Sequence, residues 1–479
     1  MSLITPKQID GLNKFLLRQK ENLKIIRREI WKYTERDYQC FLIIILLALL
    51  LRLPFISHPN HSEFDEFTYV NFTLHTLHGE PFFDIHPPLA RIIFTEVTRM
   101  NETLRMHSMF IKIKPNFTDF PYTALRYFNA FIGIILVFIV YCIGRILKYK
   151  PREALLPALL IIFDSALVVY SRAILPDTLL LVFNFTALAL ALAAVHSNRK
   201  NIFFWFLVLS GISMGLALSV KWTALAVLIT LVFNFLIFRR YIAIVIIIAV
   251  TAFTYVAIFM GYFFLYFPHG GVVVYSEPYI NQPWIQEIVF PETKSVKNII
   301  SFLPKYHEAM LRGSQDPIFF TQNLPAPSPI TWPLAKSSIY FWINEANQPH
   351  GQRTQYILLI GNPTSWSLSL FALLFDVGWI IAVYLRSRKM PIDKDEMILL
   401  FGFAANYIPF FFIHRPMYLY HYFVALIFLF LLIPKVLPRI VHCLVLFSKD
   451  RMFVLSFMYV ALFMIVANFI LLMPSTYGF

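Results

Sequence analysis

Residues 64–91, FDEFTYVNFTLHTLHGEPFFDIHPPLAR, crowd four carboxylates (Asp65, Glu66, Glu80 and Asp84) and three histidines (His75, His78 and His86) into one short stretch. Immediately before it runs CFLIIILLALLLRLPFI, an apolar segment suited to lipid. Adjacent residues such as Asp65 and Glu66 cannot point the same way on any regular element, so the pair divides its work. A carboxylate within hydrogen-bond reach of a hydroxyl can serve as a general base, and Asp65 is the candidate. Glu66, its partner in the catalytic pair, is expected to support it through an ion pair with Arg126 or Arg52. His75 and His78 stand three residues apart with no further ligand at matching spacing, so no metal site is expected. The three cysteines, Cys40, Cys142 and Cys443, lie in or beside apolar runs and form neither a zinc pattern nor a disulfide framework.

The elements that must position these groups are membrane spans. Of 479 residues, 58% are hydrophobic and only 14% charged, against about half and a quarter in a soluble domain. The excess sits in runs long enough to cross roughly 30 Å of hydrocarbon as helices. This predicts an all-α polytopic membrane protein with about 11 spans, near 39–57, 124–146, 153–170, 176–196, 202–219, 222–238, 241–266, 364–385, 397–413, 418–434 and 453–473. Two long segments interrupt them, 58–123 and 267–363. The net charge of +14 does not indicate nucleic acid, because Lys and Arg cluster in short stretches between the spans. With the N-terminus cytoplasmic, the inside stretches hold 25 of the 41 Lys and Arg residues. The positive-inside rule therefore places the N-terminus in, the C-terminus out and both long segments outside. Four regions result: a basic amphipathic cytoplasmic segment at 1–38, a core of seven spans at 39–266 with the catalytic outer loop 58–123, an outer lid at 267–363, and four spans at 364–479.

Polar residues from separate spans converge on the outer face. Arg52, Asp84, His86, Arg91 and Arg126 join the acidic pair. Asp164 lies in the third span, with Arg172 as a structural partner two turns on, and Arg172 and Asp177 bracket the next outer turn. Lys221 and Trp222 lie in SVKWT, while Arg415 and His421 flank the tenth span. Ionisable groups at membrane depth are costly and usually functional. The chemistry that suits them is group transfer from a lipid-linked phosphate donor. The departing phosphate needs only positive charge, for which Lys221, Arg91, Arg172 and Arg415 are candidates, with Trp222 and His421 beside them. A base on the face opposite the leaving group implies inversion at the anomeric carbon, by analogy with inverting glycosidases.

The ordered set FDEFTY, FFDIHPPLAR, LRYFNAFIG, IIFDSALVVYSRAILPDTLLL, LALSVKWTAL, YILLIGNPTSW and YLYHYFVAL resembles the protein O-mannosyltransferase family over roughly residues 50–430. The resemblance implies the GT-C membrane fold. It also implies transfer of mannose from a polyprenyl (dolichyl) phosphate donor to Ser or Thr hydroxyls of acceptor proteins, with a homologous subunit as a further partner and no separate cofactor. Residue by residue, Asp65 and Glu66 match the family's acidic pair. Arg52 and Arg126 match its basic neighbours, and Asp84 and His86 the acid and histidine of its HPP motif. Lys221 matches the lysine implied to hold the donor phosphate. HPPLAR departs from the usual HPPLGK, so Arg91 presents a planar fork where a point charge is usual. The roughly 95 residues after the seventh span are too few for the MIR domains of the eukaryotic enzymes. That points to a bacterial or archaeal plasma membrane, with the endoplasmic reticulum as the alternative. Two other functions remain to be separated. One is a GT-C transferase acting on a lipid acceptor, of the aminoarabinose type. The other is a transporter, which would show broken helices at the bilayer midplane and inverted repeats.

Overall fold

The computed structural model describes residues 34–100, 117, 122–267, 271–272, 283–316, 327–336, 338–344, 354–413, 416–448 and 450–479. The basic amphipathic segment 1–38 falls almost wholly outside these, as does Arg415. The first apolar run becomes α1 (Glu35–Arg52). The first outer segment contributes α2 (Glu66–His78) and α3 (Leu89–Met100). Then come α4 (Thr123–Ile146), α5 (Pro151–Ile162), α6 (Ser165–Arg172), α7 (Asp177–His196), α8 (Lys200–Leu218), α9 (Leu225–Ile237) and α10 (Tyr241–Tyr266). The second outer segment holds β1 (Gly271–Val272), β2 (Val289–Phe290), α11 (Val296–Ser314), β3 (Ile339–Ile343) and β4 (Tyr356–Leu359). The chain closes with α12 (Pro363–Ser387), α13 (Lys394–Tyr407), α14 (Phe423–Ser448) and α15 (Arg451–Tyr477).

Each apolar run expected to span coincides with a helix, with one change. The third run is two helices, α5 and α6, bent by 64° at Phe163–Asp164. Asp164 therefore does not lie inside a helix. It caps the second one, its side chain accepting from the Leu167 N–H at 2.9 Å. Its other oxygen accepts from the Asn362 N–H and from Trp366 Nε1, at 3.1 and 2.6 Å. Asn362 returns the contact by donating from Nδ2 to the Phe163 and Ile465 carbonyls. The break thus forms one joint with GNPTSW, in which backbone groups freed by the bend find partners. A broken helix was the mark set for a transporter. Here, however, the carboxylate at the break is fully buried and saturated by donors.

Among the described residues, eight helices are long and apolar enough to cross a bilayer, and a ninth results if α5 and α6 count as one span. Trp222–Ile237 is a shorter apolar helix, and α1 carries Glu35, Arg36, Asp37 and Arg52 at its ends. Helices that are apolar all round belong either in a core or against lipid, and burial separates the two. The apolar stretch of α7 is 78% buried, whereas those of α12 and α15 are 17% and 18% buried. So α7 is the central post, packed along α4 and α8, while α12 and α15 turn most of their apolar side chains outward. Gly402 on α13 allows the Phe428 ring of α14 to lie flat on it. A Cβ there would come within 2.3 Å of that ring.

The lid at 267–363 was expected to contain short helices, and it also holds two small antiparallel sheets. β1 pairs with β2, and β3 pairs with β4 in the register Ile339↔Leu359 and Ile343↔Tyr356, with an irregularity between Tyr340 and Trp342. The β3 residues IYFWI are β-branched and aromatic, the types that pack well on a pleated surface.

Candidate active site

The site begins with a strained residue. Phe64 has φ of 45°, a left-handed conformation that a bulky side chain rarely adopts. Strand β3 holds it there. The Phe64 N–H donates to the Phe341 carbonyl at 2.8 Å, and the two rings stack with centroids 4.9 Å apart. Asp65 then stands at the N-cap of α2, where an Asp side chain would ordinarily cap the helix. It makes no cap hydrogen bond. Its carboxylate is only partly covered and forms no ion pair among the described residues. Protein nevertheless surrounds it densely. Burial pushes its pKa up to about 6, against the pull of Lys221 and with a further push from Asp177.

The neighbouring acid is placed in the opposite way. Glu66 is fully buried. Arg126, from α4, donates to its two oxygens at 2.9 and 2.7 Å. Glu66 also accepts from the backbone N–H groups of Ile174 (2.8 Å) and Glu63 (2.7 Å). With both oxygens occupied, Glu66 holds the loop. Arg126 ties the same loop down further, donating to the carbonyls of Pro59 and His61 at 2.8 and 2.9 Å. Glu63, absent from the sequence reading, stands 3.3 Å from Arg126. Burial raises its pKa, Arg126 opposes that, and Glu66 adds to it.

Of the two partners expected for Glu66, the structure selects Arg126. Arg52 lies elsewhere, buried at the end of α1, donating to the Ile161 carbonyl at 3.3 Å with Asp164 as a nearby opposite charge. Arg172 is not a partner of Asp164, nor is it available to a donor phosphate. Its guanidinium donates to the carbonyls of Arg52, Pro54 and Phe55 and lies 4.7 Å from the Tyr477 ring centroid. Arg91 is likewise withdrawn from the phosphate role. It is buried between the Phe82 and Tyr262 rings, each 4.9 Å away, and paired with Asp84 at 2.9 Å. Asp84 also accepts from the His86 N–H at 2.9 Å, which turns the chain at HPP. Burial raises its pKa, against Arg91. The planar fork in place of a lysine is thus used for stacking between rings, which a point charge does less well. His75 pairs with Glu80 at 2.8 Å.

Lys221 lies at the junction of α8 and α9. Leaving the C-terminal end of α8, it reaches Asp177 at the start of α7 at 2.6 Å and lies 5.3 Å from the centroid of the Tyr420 ring. Asp177 also accepts from the Tyr170 hydroxyl at 2.9 Å. Trp222 turns away to donate to the Tyr255 hydroxyl at 2.9 Å. His421 folds back onto its own turn at Tyr418 and packs against Trp332 and Phe410. Its neighbour Tyr420, not His421, faces the lysine. Asp177, Tyr69, Tyr170 and Tyr420 complete the cluster. Burial raises the Tyr69 pKa, with Asp84, Asp177 and Asp65 all adding to the effect. The signal for Asp177 was visible in RAILPDT, but only folding shows that Lys221 answers it.

Among the described residues the geometry is therefore an unpaired carboxylate, Asp65, near a lysine already held by a second acid, within an aromatic wall. Two family models match this chain: dolichyl-phosphate-mannose-protein mannosyltransferase over residues 42–269, and the C-terminal four-transmembrane region of protein O-mannosyltransferase over residues 303–479. The chain belongs to the protein O-mannosyltransferase family. Among curated relatives, dolichyl-phosphate-mannose–protein mannosyltransferase 1 of Candida albicans is 32% identical over 40% of this chain and 22% of its own length. Mannosyltransferase 3 of Saccharomyces cerevisiae is 28% identical over 39% of this chain and 25% of its own. The alignments thus span about a quarter of those relatives or less. Among solved structures, the S. cerevisiae Pmt1-Pmt2 complex bound to the sugar donor matches with a TM-score of 0.75 at 16% identity, covering 95% of this chain and 92% of that one. The Archaeoglobus fulgidus oligosaccharyltransferase matches at 0.53 and 14% identity, covering 94% and 57%. These neighbours are GT-C membrane glycosyltransferases, so this chain has the GT-C fold and is an integral membrane protein.

Proposed function

We propose that this protein transfers mannose from a polyprenyl or dolichyl phosphate donor to Ser and Thr hydroxyls of proteins, with inversion at the anomeric carbon. The observation that carries this reading is the contrast within the acidic pair: Glu66 is saturated by donors, while Asp65 carries a raised pKa and no partner among the described residues. Asp65 takes the hydroxyl proton as the acceptor oxygen bonds to the anomeric carbon. The bond from that carbon to the phosphate oxygen breaks, and its electron pair leaves with the phosphate. A pKa near 6 makes Asp65 a stronger base than an ordinary aspartate while leaving it mostly ionised at neutral pH. Lys221 stabilises the departing phosphate, and Asp177 holds that ammonium in place.

The names of the curated relatives support both donor and acceptor class, and the Pmt1-Pmt2 complex is one bound to its sugar donor. That complex also supports a homologous chain as a partner. The curated relatives named above are fungal and lend no support to a bacterial or archaeal plasma membrane. We place the site on the lumenal face of the endoplasmic reticulum instead. The test is incubation of purified protein with polyprenyl-phosphate mannose and a Ser/Thr peptide, with mass spectrometry and anomeric analysis of the product. A peptide one hexose heavier with inverted configuration is expected, and retention would remove Asp65 as base.

A further inference from the structure

Beside the Lys221 segment, three side chains from separate elements form a hydrogen-bonded chain whose direction is fully determined. His307 lies on α11, Tyr255 on α10, and Trp222 follows Lys221. His307 Nδ1 lies 2.7 Å from the Leu303 carbonyl, which can only accept, so Nδ1 carries a proton. Burial lowers the pKa of His307 and so favours the neutral ring. In the neutral ring Nε2 is then the acceptor. Tyr255 donates to it at 2.8 Å, and the tyrosine oxygen accepts from Trp222 Nε1 at 2.9 Å. The Trp222 and His307 rings stack at 6.0 Å with a 17° interplanar angle, and Phe259 closes the other side of the imidazole at 4.8 Å.

The geometry points to His307 as a positioning residue that, through Tyr255 and Trp222, fixes Lys221 for the donor phosphate. This rests on the phosphate role proposed for Lys221. Lys221 and Trp222 are consecutive, so an indole held at both its face and its N–H restrains the backbone from which the lysine departs. The residue before His307 serves the other half of the site. Tyr306 is fully buried against Phe83 at 5.8 Å and faces Arg91, the partner of Asp84. Two successive residues of the lid helix thus reach the HPP loop and the lysine segment, and α11 couples the two sides of the pocket.

The test compares His307→Phe, Tyr255→Phe, the double variant and His307→Gln in steady-state transfer from polyprenyl-phosphate mannose. Each single Phe variant should raise KM for the donor about 3–10-fold, the range set by one lost hydrogen bond, with kcat nearly unchanged. The double variant should be no worse than either single, because both break one chain. His307→Gln, whose amide oxygen can replace Nε2 as acceptor, should recover most of the affinity. Additive losses, a kcat defect at constant KM, or no rescue by Gln would each overturn the assignment. Binding of sugar-free polyprenyl phosphate to Lys221→Ala, measured in parallel, separates the two ideas. Unchanged binding there removes the phosphate role and the inference together. Weakened binding there, with normal donor KM in both Phe variants, removes the inference alone.

Discussion

The two ends of the helix bundle handle charge differently. At the end opposite the site, acids and bases from the same helices are matched closely. Asp37 at the start of α1 is held by Arg145 at 2.7 Å and by the Tyr141 hydroxyl at 2.6 Å. Arg439 on α14 bridges Asp376 and Glu396 and lies on the Trp379 ring. Lys435 pairs with Asp393, and His196 with Asp395 at 3.0 Å. At the site end most charges are matched too, Glu66 with Arg126 and Asp84 with Arg91. Among the described residues Asp65 has neither an ion pair nor a side-chain hydrogen bond, and it stands beside the Lys221–Asp177 pair without joining it. The difference separates acids that hold helices together from the acid we propose to react. A buried charge stripped of its partner is expensive, so a carboxylate kept partnerless in a crowded site is there for a purpose other than stability.

Five experiments break or sharpen this contrast, ordered from the largest expected effect. Asp65→Asn should slow transfer about 10²–10⁴-fold, the usual worth of a general base, with thermal stability intact. The sign follows from the raised pKa: the ionised carboxylate is disfavoured in the fold, so neutralising it costs no stability. A rate within tenfold of the parent would remove the base. Arg126→Ala leaves Glu66 buried without its cation and should lower stability by about 3–5 kcal/mol, seen as a fall in Tm by thermal unfolding in detergent. Lys221→Ala should weaken donor binding about 10–100-fold, the range for a charged hydrogen bond, measured by titration with polyprenyl phosphate. The transfer rate should decline as pH falls through about 6 while Asp65 takes up its proton, and a flat profile to one unit below that value would contradict the assignment. Lys435→Ala, at the opposite end and paired with a largely exposed Asp393, should cost under about 1 kcal/mol and leave transfer unchanged.

That Asp65 and Glu66 meet different surroundings was legible in the chain because neighbours on one backbone must diverge. The choice of Arg126 over Arg52 was not, since both lie near the same membrane boundary and either could have reached. Arg91 and Arg172 show the limit more sharply. As cations among outer-face residues they resemble phosphate ligands, but one is enclosed by rings and the other by main-chain carbonyls. Those carbonyls belong to a loop more than 100 residues away in the chain, and no local pattern announces them. The break at Asp164 was hidden for a similar reason. Its donors Asn362 and Trp366 lie about 200 residues further on, and without them IIFDSALVV reads as an uninterrupted apolar run.

What the sequence determined by itself was the number and order of apolar runs, the positions of the basic stretches between them, and which residue types stand at their ends. Lipid imposes these locally, because each run must be long enough and apolar enough on its own account. Only the tertiary structure decided which charges cancel. Pairing is a matter of distances of a few ångströms between helices far apart in the chain, and it leaves Asp65, at the turn pinned by Phe64 and Phe341, without a partner among the described residues.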